Sequence, residues 1–493
     1  MHLASLVEMV ESGFDTRHVL GTLDAPITGA EIARRVRVQA ATLSAASALL
    51  YVGENDSMVP VALLSAAWAG VPFVPLNYRL EDAQLNGLIS QHSGALVLAD
   101  AASAPRITRA SAVILSDWIM ERPADTASAS PAVDDESVAV VLYTSGTTSE
   151  PKAALLRHRH LMAYLLGSVE FGGALEDEAA LISVPPYHVA GVANMLSNLF
   201  AGRRLVYLAT FEADRWLETV REQRITHAMV VPTMLSRIVD ALHGETADVP
   251  TLRSLSYGGA KLSEAVLMKA LRAFPDTGFV NAYGLTETAS TIAVLGPEDH
   301  REALHSEDPV VRRRLGSAGR VLPTVEVEIR DEHGRAAAAG ESGMIFVRGE
   351  QIAGEYSTGS ALDADGWFGT RDRGRVDTAG FLYVDGRADD TIIRGGENIA
   401  PAEIEEVLLA HPAVAEACVV GIPDPEWGQR LVAAVVRRRG VDVDADELGA
   451  LVRDRLRGSK TPELIVFRDQ LPHTDTGKLL RRVVQAELAD ATA

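Results

Sequence analysis

The sequence predicts an α/β chain with a large N-terminal domain of αβ subdomains plus a small β unit, followed by a small α+β C-terminal domain. Three observations carry this expectation. Apolar runs of strand length alternate with helical patterns over roughly the first 300 residues. After Gly316 the pattern becomes Gly-punctuated alternation, and beyond Arg387 a compact helix–strand–strand–helix unit begins. At 493 residues the chain exceeds what one hydrophobic core organises.

Each element has a local reason. In ALLSAAWAGVPFVPLN, at 62 to 77, a helix stops at Gly70 and a strand runs from Val71 to Pro75. ALVLAD at 95 to 100 reads as a short buried strand, and the small, polar, Pro-containing 121 to 137 as a surface connection. VAVVLY, at 138 to 143, is apolar and β-branched without interruption, the pattern of a strand buried on both faces. HAMVVP at 227 to 232 is a strand of a second α/β stretch from about 160 to 300. VEVEIRDEHGR and GMIFVRG read as paired strands of the β unit. In PAEIEEVLLAHP, Pro401 opens a helix whose early glutamates suit its positive end, and Pro412 stops it. ACVVGIPD and LVAAVVRRR follow as strands, then DELGALVRDRL as a helix.

Composition excludes several function classes. A net charge of −21, with no basic stripe interleaved with aromatics, argues against a nucleic-acid partner. The single cysteine, Cys418, rules out an internal disulfide framework; it lies in an apolar strand and reads as a packed core thiol. No run of about 18 apolar residues occurs and the N-terminus has no basic region, so the expectation is a cytoplasmic protein without a membrane span. Of 46 basic residues only Lys152, Lys261, Lys269, Lys460 and Lys478 are lysines, which directs attention to each.

YTSGTTSEPKAA, at 143 to 154, directly follows the buried strand. A Gly- and hydroxyl-rich loop in that position presents N–H and O–H donors to an anion, which marks it as a phosphate cradle. It is not a Walker A loop, since no Gly precedes Lys152 and Ala153 follows it.

This loop resembles the phosphate loop of the ANL superfamily of adenylate-forming enzymes. NAYGLTETAS at 281 to 290, GWFGTRD at 366 to 372, YVDGRADDTIIRGGENIAPAEIEEVL at 383 to 408 and PHTDTGKLLRR at 472 to 482 resemble its later motifs, in order. The resemblance covers almost the whole chain and implies an AMP-forming acyl- or aryl-CoA synthetase. Such an enzyme joins a small-molecule carboxylic acid to AMP, expels pyrophosphate, and passes the acyl group to CoA. ATP, Mg²⁺ and CoA are the implied cofactor and co-substrates.

By the resemblance, Thr144, Ser145, Gly146, Thr147, Thr148 and Lys152 hold the phosphates, Thr286 bonds the α-phosphate, and Glu287 is the Mg²⁺ ligand. Asp372 and Arg387 serve the ribose, Gly258, Gly259 and Ala260 lie against adenine and substrate, and Tyr283 packs on adenine. His188 sits between the acid pocket and the CoA tunnel, whose wall includes Gly396. Lys478 reaches the site during adenylation on a mobile C-terminal domain, 389–493, that turns about Asp389 against the N-terminal domain, 1–388. Lys261 reads as a surface lysine. The acid pocket is expected around His188, Val192, Gly258, Asn281 and Ala289, mostly small or apolar.

The sequence departs from the family pattern at Arg371. The usual Thr-Gly-Asp reads Thr370-Arg371-Asp372, which sets a large cation beside the ribose site. Two other functions remain open at this stage: a stand-alone adenylating enzyme using an amino acid or carrier protein, and a non-catalytic adenylate-binding protein. The sequence leaves the oligomeric state open, a homodimer included, as it does the identity of the acid.

Overall fold

The computed structural model describes residues 1–120, 133–144, 152–394, 397–425, 427–438, 440–456, 458–474 and 479–492. Most of the 121 to 137 connection, the loop residues 145–151, Gly396 and Lys478 therefore lie outside the described residues.

Two large sheets form most of the chain. In the eight-stranded one, Leu49–Val52, Phe73–Leu76, Leu96–Ala99, Ala112–Ile114 and Val138–Thr144 run parallel, and Lys152–Arg157 returns antiparallel. The helix expected before Gly70 is Val59–Ala69. The apolar run 138 to 143 is a strand in the sheet interior, with Ala139 to Leu142 buried, which is why it reads as unbroken hydrophobicity.

In the thirteen-stranded sheet the parallel strands Ala179–Ile182, Arg204–Tyr207, His227–Val230, Ser254–Gly258 and Gly278–Leu285 adjoin one another. The β unit expected after Gly316 forms, with Glu326–Arg330 antiparallel to Gly343–Arg348. It is not a separate sheet. Gly278–Leu285 turns into the antiparallel Ser290–Leu295, which pairs with Gly319–Val321 and so carries the ladder on to Phe381–Arg387 and Phe368–Val376. This continuity sets the carboxyl ends of the parallel strands, where open α/β sheets bind ligands, beside the strands of the β unit.

The last hundred residues have their own core. Val414–Asp424, Gly428–Arg437 and Leu464–Arg468 form a three-stranded sheet covered by helices Pro401–Leu409, Ala445–Arg455 and Arg481–Thr492. Ile404, Leu408, Val419, Leu431, Val435, Leu448 and Val452 pack together inside it. Cys418 is fully buried, and burial pushes its thiol up to about 12. Arg481 fastens this unit from within: it pairs with Glu405, donates to the Val419 carbonyl at 2.6 Å and lies 3.3 Å from Asp390, beside the expected hinge residue Asp389. Asp389 is exposed in the short turn 388–390 that follows strand Phe381–Arg387. Lys261, expected on the surface, is half exposed and reaches Glu406 of this unit at 2.9 Å.

Candidate active site

Of the described residues singled out in sequence, Lys152, Tyr283, Glu287, Asp372 and Arg387 fall into two side-chain clusters where the two sheets and the β unit meet. Asp372 lies on Phe368–Val376 opposite Arg387 on the neighbouring strand. It is 5% exposed, yet each carboxylate oxygen has a partner: Oδ1 faces Arg387 Nε at 3.0 Å and Oδ2 accepts from the Tyr283 hydroxyl at 2.6 Å. Arg387 also donates to the Thr370 carbonyl at 3.0 Å. A buried carboxylate needs such partners, since leaving one ionised and unpaired would cost several kcal/mol, about 3–5 by analogy with broken buried pairs. Burial first, and the Asp372 charge second, hold the Tyr283 phenol well above its ordinary range, so it stays a neutral donor.

A second cluster forms around Glu287. The Tyr356 hydroxyl donates to Glu287 Oε1 at 2.5 Å, and burial raises the phenol above its usual range, reinforced by the adjacent Glu287 charge. The Glu287 carbonyl accepts from the N–H groups of Ala353 and Gly354, both at 2.9 Å. Tyr356 pairs with Ala154, and the Lys152 Nζ stands 5.8 Å from the Tyr356 ring centre. Lys152 opposes Thr144 across the two strands that flank the cradle loop, and the Thr144 hydroxyl donates to the Lys152 carbonyl at 3.3 Å.

The turn bearing Thr286 and Glu287 is held in an unusual shape. Ala289 and Ser290 have φ of 50° and 100°, conformations that cost L residues about 1–3 kcal/mol each unless the surroundings fix them. The fixing groups are visible. The Thr288 hydroxyl accepts from Leu285 N–H at 2.9 Å and donates to the Ser290 carbonyl at 2.6 Å, while Gln351 donates to the carbonyls of Thr288 and Thr291 at 3.0 and 2.9 Å. Gly284 is required here, because a Cβ would stand 1.8 Å from the Ser290 carbonyl oxygen.

At the end of Ser254–Gly258, a Cβ on Gly258 would meet the Ala282 oxygen at 2.2 Å, so the backbones of two strands approach closely beside the site. Gly259 and Ala260 follow, both exposed. His188 is the residue before helix Val189–Ala201, half buried, with its ring 4.5 Å from that of Tyr187, which in turn meets Tyr78 edge-on at 6.0 Å. Val192 and Ala289 are fully buried in one apolar cluster, and Asn281 donates to the Ser317 carbonyl at 2.9 Å.

Sequence reading missed Tyr356, Thr370 and Gln351. They lie outside the motifs or are silent within them, and each acts through a contact between distant parts of the chain. Ser145, Gly146, Thr147, Thr148, Gly396 and Lys478 are known here from the sequence alone.

The chain matches the model of the AMP-binding enzyme family over residues 15–357 and that of the AMP-binding enzyme C-terminal domain over 403–478. The chain belongs to the AMP-binding enzyme family. It is 32% identical to the indoleacetate–CoA ligase of Aromatoleum aromaticum, over 90% of this chain and 89% of that one. To the feruloyl-CoA synthase of an Amycolatopsis species it is 34% identical, over 93% of each. Its fold matches the O-succinylbenzoate coenzyme A synthetase MenE of Bacillus subtilis, solved with ATP and magnesium ion, at a TM-score of 0.83 and 28% identity, over 97% of this chain and 98% of that one. The ANL resemblance drawn from the motifs thus holds, and in activity class the chain is an AMP-forming acid–thiol ligase. Among the described residues no helix is long and apolar enough to cross a membrane.

Proposed function

We propose that this chain is an acyl- or aryl-CoA synthetase for an acid with an apolar body, working in two half-reactions on one site. A carboxylate oxygen of the acid attacks the α-phosphorus of ATP and pyrophosphate departs. The CoA thiol then attacks the acyl carbon, its proton passing to solvent, and AMP leaves with the bridging oxygen. The observation that carries this reading is the convergence of Tyr283, Glu287, Tyr356, Asp372 and Arg387, from four separated stretches of chain, with Lys152 beside them.

Asp372 accepts from the ribose hydroxyls in this scheme, held in place by Arg387 and Tyr283. Thr286, whose hydroxyl has no hydrogen-bond partner among the described residues, donates to the α-phosphate. Lys152 and Thr144, with Ser145, Gly146, Thr147 and Thr148 between them, bind the departing pyrophosphate. Glu287 is the group that would hold Mg²⁺. One carboxylate suits that cation, which takes one or two protein oxygens and completes its shell with phosphates and water, and no cluster of three or more ligating side chains occurs among the described residues. When bound, Mg²⁺ neutralises polyphosphate charge.

The division into 1–388 and 389–493 belongs to this proposal, with Asp389 as the turning point, Lys478 delivered for adenylation and Gly396 lining the path of the thiol. The small or apolar residues around His188, and relatives named for indoleacetate, ferulate and succinylbenzoate, favour aromatic acids as first candidates. The test is pyrophosphate release over a panel of aromatic and aliphatic acids, with and without CoA. The proposal expects acid-dependent release, and acyl-CoA when CoA is present. AMP without any thioester would instead identify an adenylating enzyme with another acceptor, and no release with any acid a non-catalytic binder.

A further inference from the structure

Arg371 occupies a backbone position built for glycine. Its φ is 62°, in the left-handed region where an L residue is strained. The reason lies in the register. Gly369 opposes Phe346 and Arg373 opposes Met344, so the three residues 370 to 372 face Ile345 alone. This bulge turns Asp372 toward Tyr283 and Arg387, and the Thr370 hydroxyl fixes it by donating to the Ile345 carbonyl at 2.9 Å and accepting from Asp372 N–H at 3.1 Å. Nothing in that arrangement needs an arginine. The side chain is exposed, and among the described residues its guanidinium has no hydrogen-bond, ion-pair or ring partner. Arg387, by contrast, is committed to Asp372 and Thr370.

The surroundings indicate what this cation faces. Arg371 is electrostatically felt at Tyr356, the residue that holds Glu287 and pairs with Ala154, two positions from Lys152. Arg371 and Lys152 thus both stand near the ring whose hydroxyl holds Glu287. We propose that Arg371 is an added polyphosphate contact, supplying a guanidinium to the β- and γ-phosphates of ATP alongside Lys152. A planar guanidinium matches phosphate oxygens in pairs, and this one gives up no ion pair to another described residue on binding. This rests on the adenylation reading, and refines the charge on the leaving group's side of the same site.

The test compares wild type with Arg371→Gly, which suits the backbone and removes the charge, and Arg371→Lys, which keeps the charge. ATP and inorganic pyrophosphate binding are followed by calorimetry, which decides the role of Arg371 even where no acid turns over. Glycine is expected to weaken both ligands about fivefold, the upper range for an exposed ion pair, with lysine restoring most of the loss. Adenosine binding and the KM for CoA should stay unchanged, and the melting temperature should not fall. Unchanged ATP and pyrophosphate affinities in Arg371→Gly would overturn the proposal. Equal weakening of adenosine would reassign the effect to ribose geometry through Asp372, a shift confined to CoA would place the cation on the wrong substrate, and a lower melting temperature with all ligands weakened would make Arg371 structural.

Discussion

Replacing Asp372 by Asn retains side-chain volume in a position only 5% exposed and removes one negative charge. In the protein, Asp372 Oδ1 faces Arg387 and Oδ2 accepts from Tyr283, so the carboxylate is held rigidly enough to present its remaining lone pairs to a ligand. A hydrogen bond to a charged acceptor contributes about 1.5–3 kcal/mol against roughly 1 kcal/mol for a neutral one. With two ribose hydroxyls each losing about 1 kcal/mol, ATP binding should weaken by about 2 kcal/mol, or roughly thirtyfold. The assay is a cycle of two proteins and two nucleotides, ATP and 2′,3′-dideoxy-ATP, by calorimetry and by KM. Wild type should strongly prefer ATP, whereas Asp372→Asn should discriminate far less. A variant that keeps the full preference would show that the hydroxyls are bound elsewhere and refute the role of Asp372.

Three further outcomes follow from the same geometry. Tyr356→Phe deletes the donor to Glu287 with little change of shape, so kcat/KM for ATP should drop about tenfold or more while the melting temperature holds; unaltered kinetics would remove Tyr356 from the site. The Cys418 thiol, raised to about 12 by burial, should resist iodoacetamide at pH 8 until the protein is unfolded, and rapid native labelling with loss of activity would contradict its placement in the core. Burial of His158 and His160 lowers both imidazoles to about 4. Above pH 6.5 neither the folded nor the unfolded chain holds these protons. Between 6.5 and 4 the unfolded chain binds them first, so stability should decline by on the order of 3 kcal/mol per imidazole. Ring-proton NMR should find both neutral at pH 5.5, and titration near 6.5 would disprove this.

Much of the site was legible in the sequence because its parts are local. Thr144, Lys152, Glu287, Asp372 and Arg387 sit in short stretches whose composition and order carry the resemblance, and the strands 138 to 143, 325 to 330 and 343 to 348 announce themselves by period and β-branching. What escaped is long-range pairing. Tyr356 is silent until its strand pairs with Ala154, and its bond to Glu287 spans 69 residues. The bulge at residues 370 to 372 depends on which residues of Gly343–Arg348 oppose it. Likewise, alternation showed that the β unit after Gly316 has strands, yet not that Gly319–Val321 would extend the larger sheet through Ser290–Leu295. Lys261 appeared to be a plain surface lysine, and its contact with Glu406, 145 residues away, needed the placement of the last unit.

The central claim, that AMP is transferred onto a carboxylate, is tested most directly by isotope. With an acid from the productive part of the panel labelled by ¹⁸O in both carboxylate oxygens, complete turnover with ATP and CoA should place one ¹⁸O in the phosphate of AMP and leave pyrophosphate unlabelled. Label in inorganic phosphate with ADP as the co-product, or AMP carrying no ¹⁸O, would mean that the acid is activated by another route.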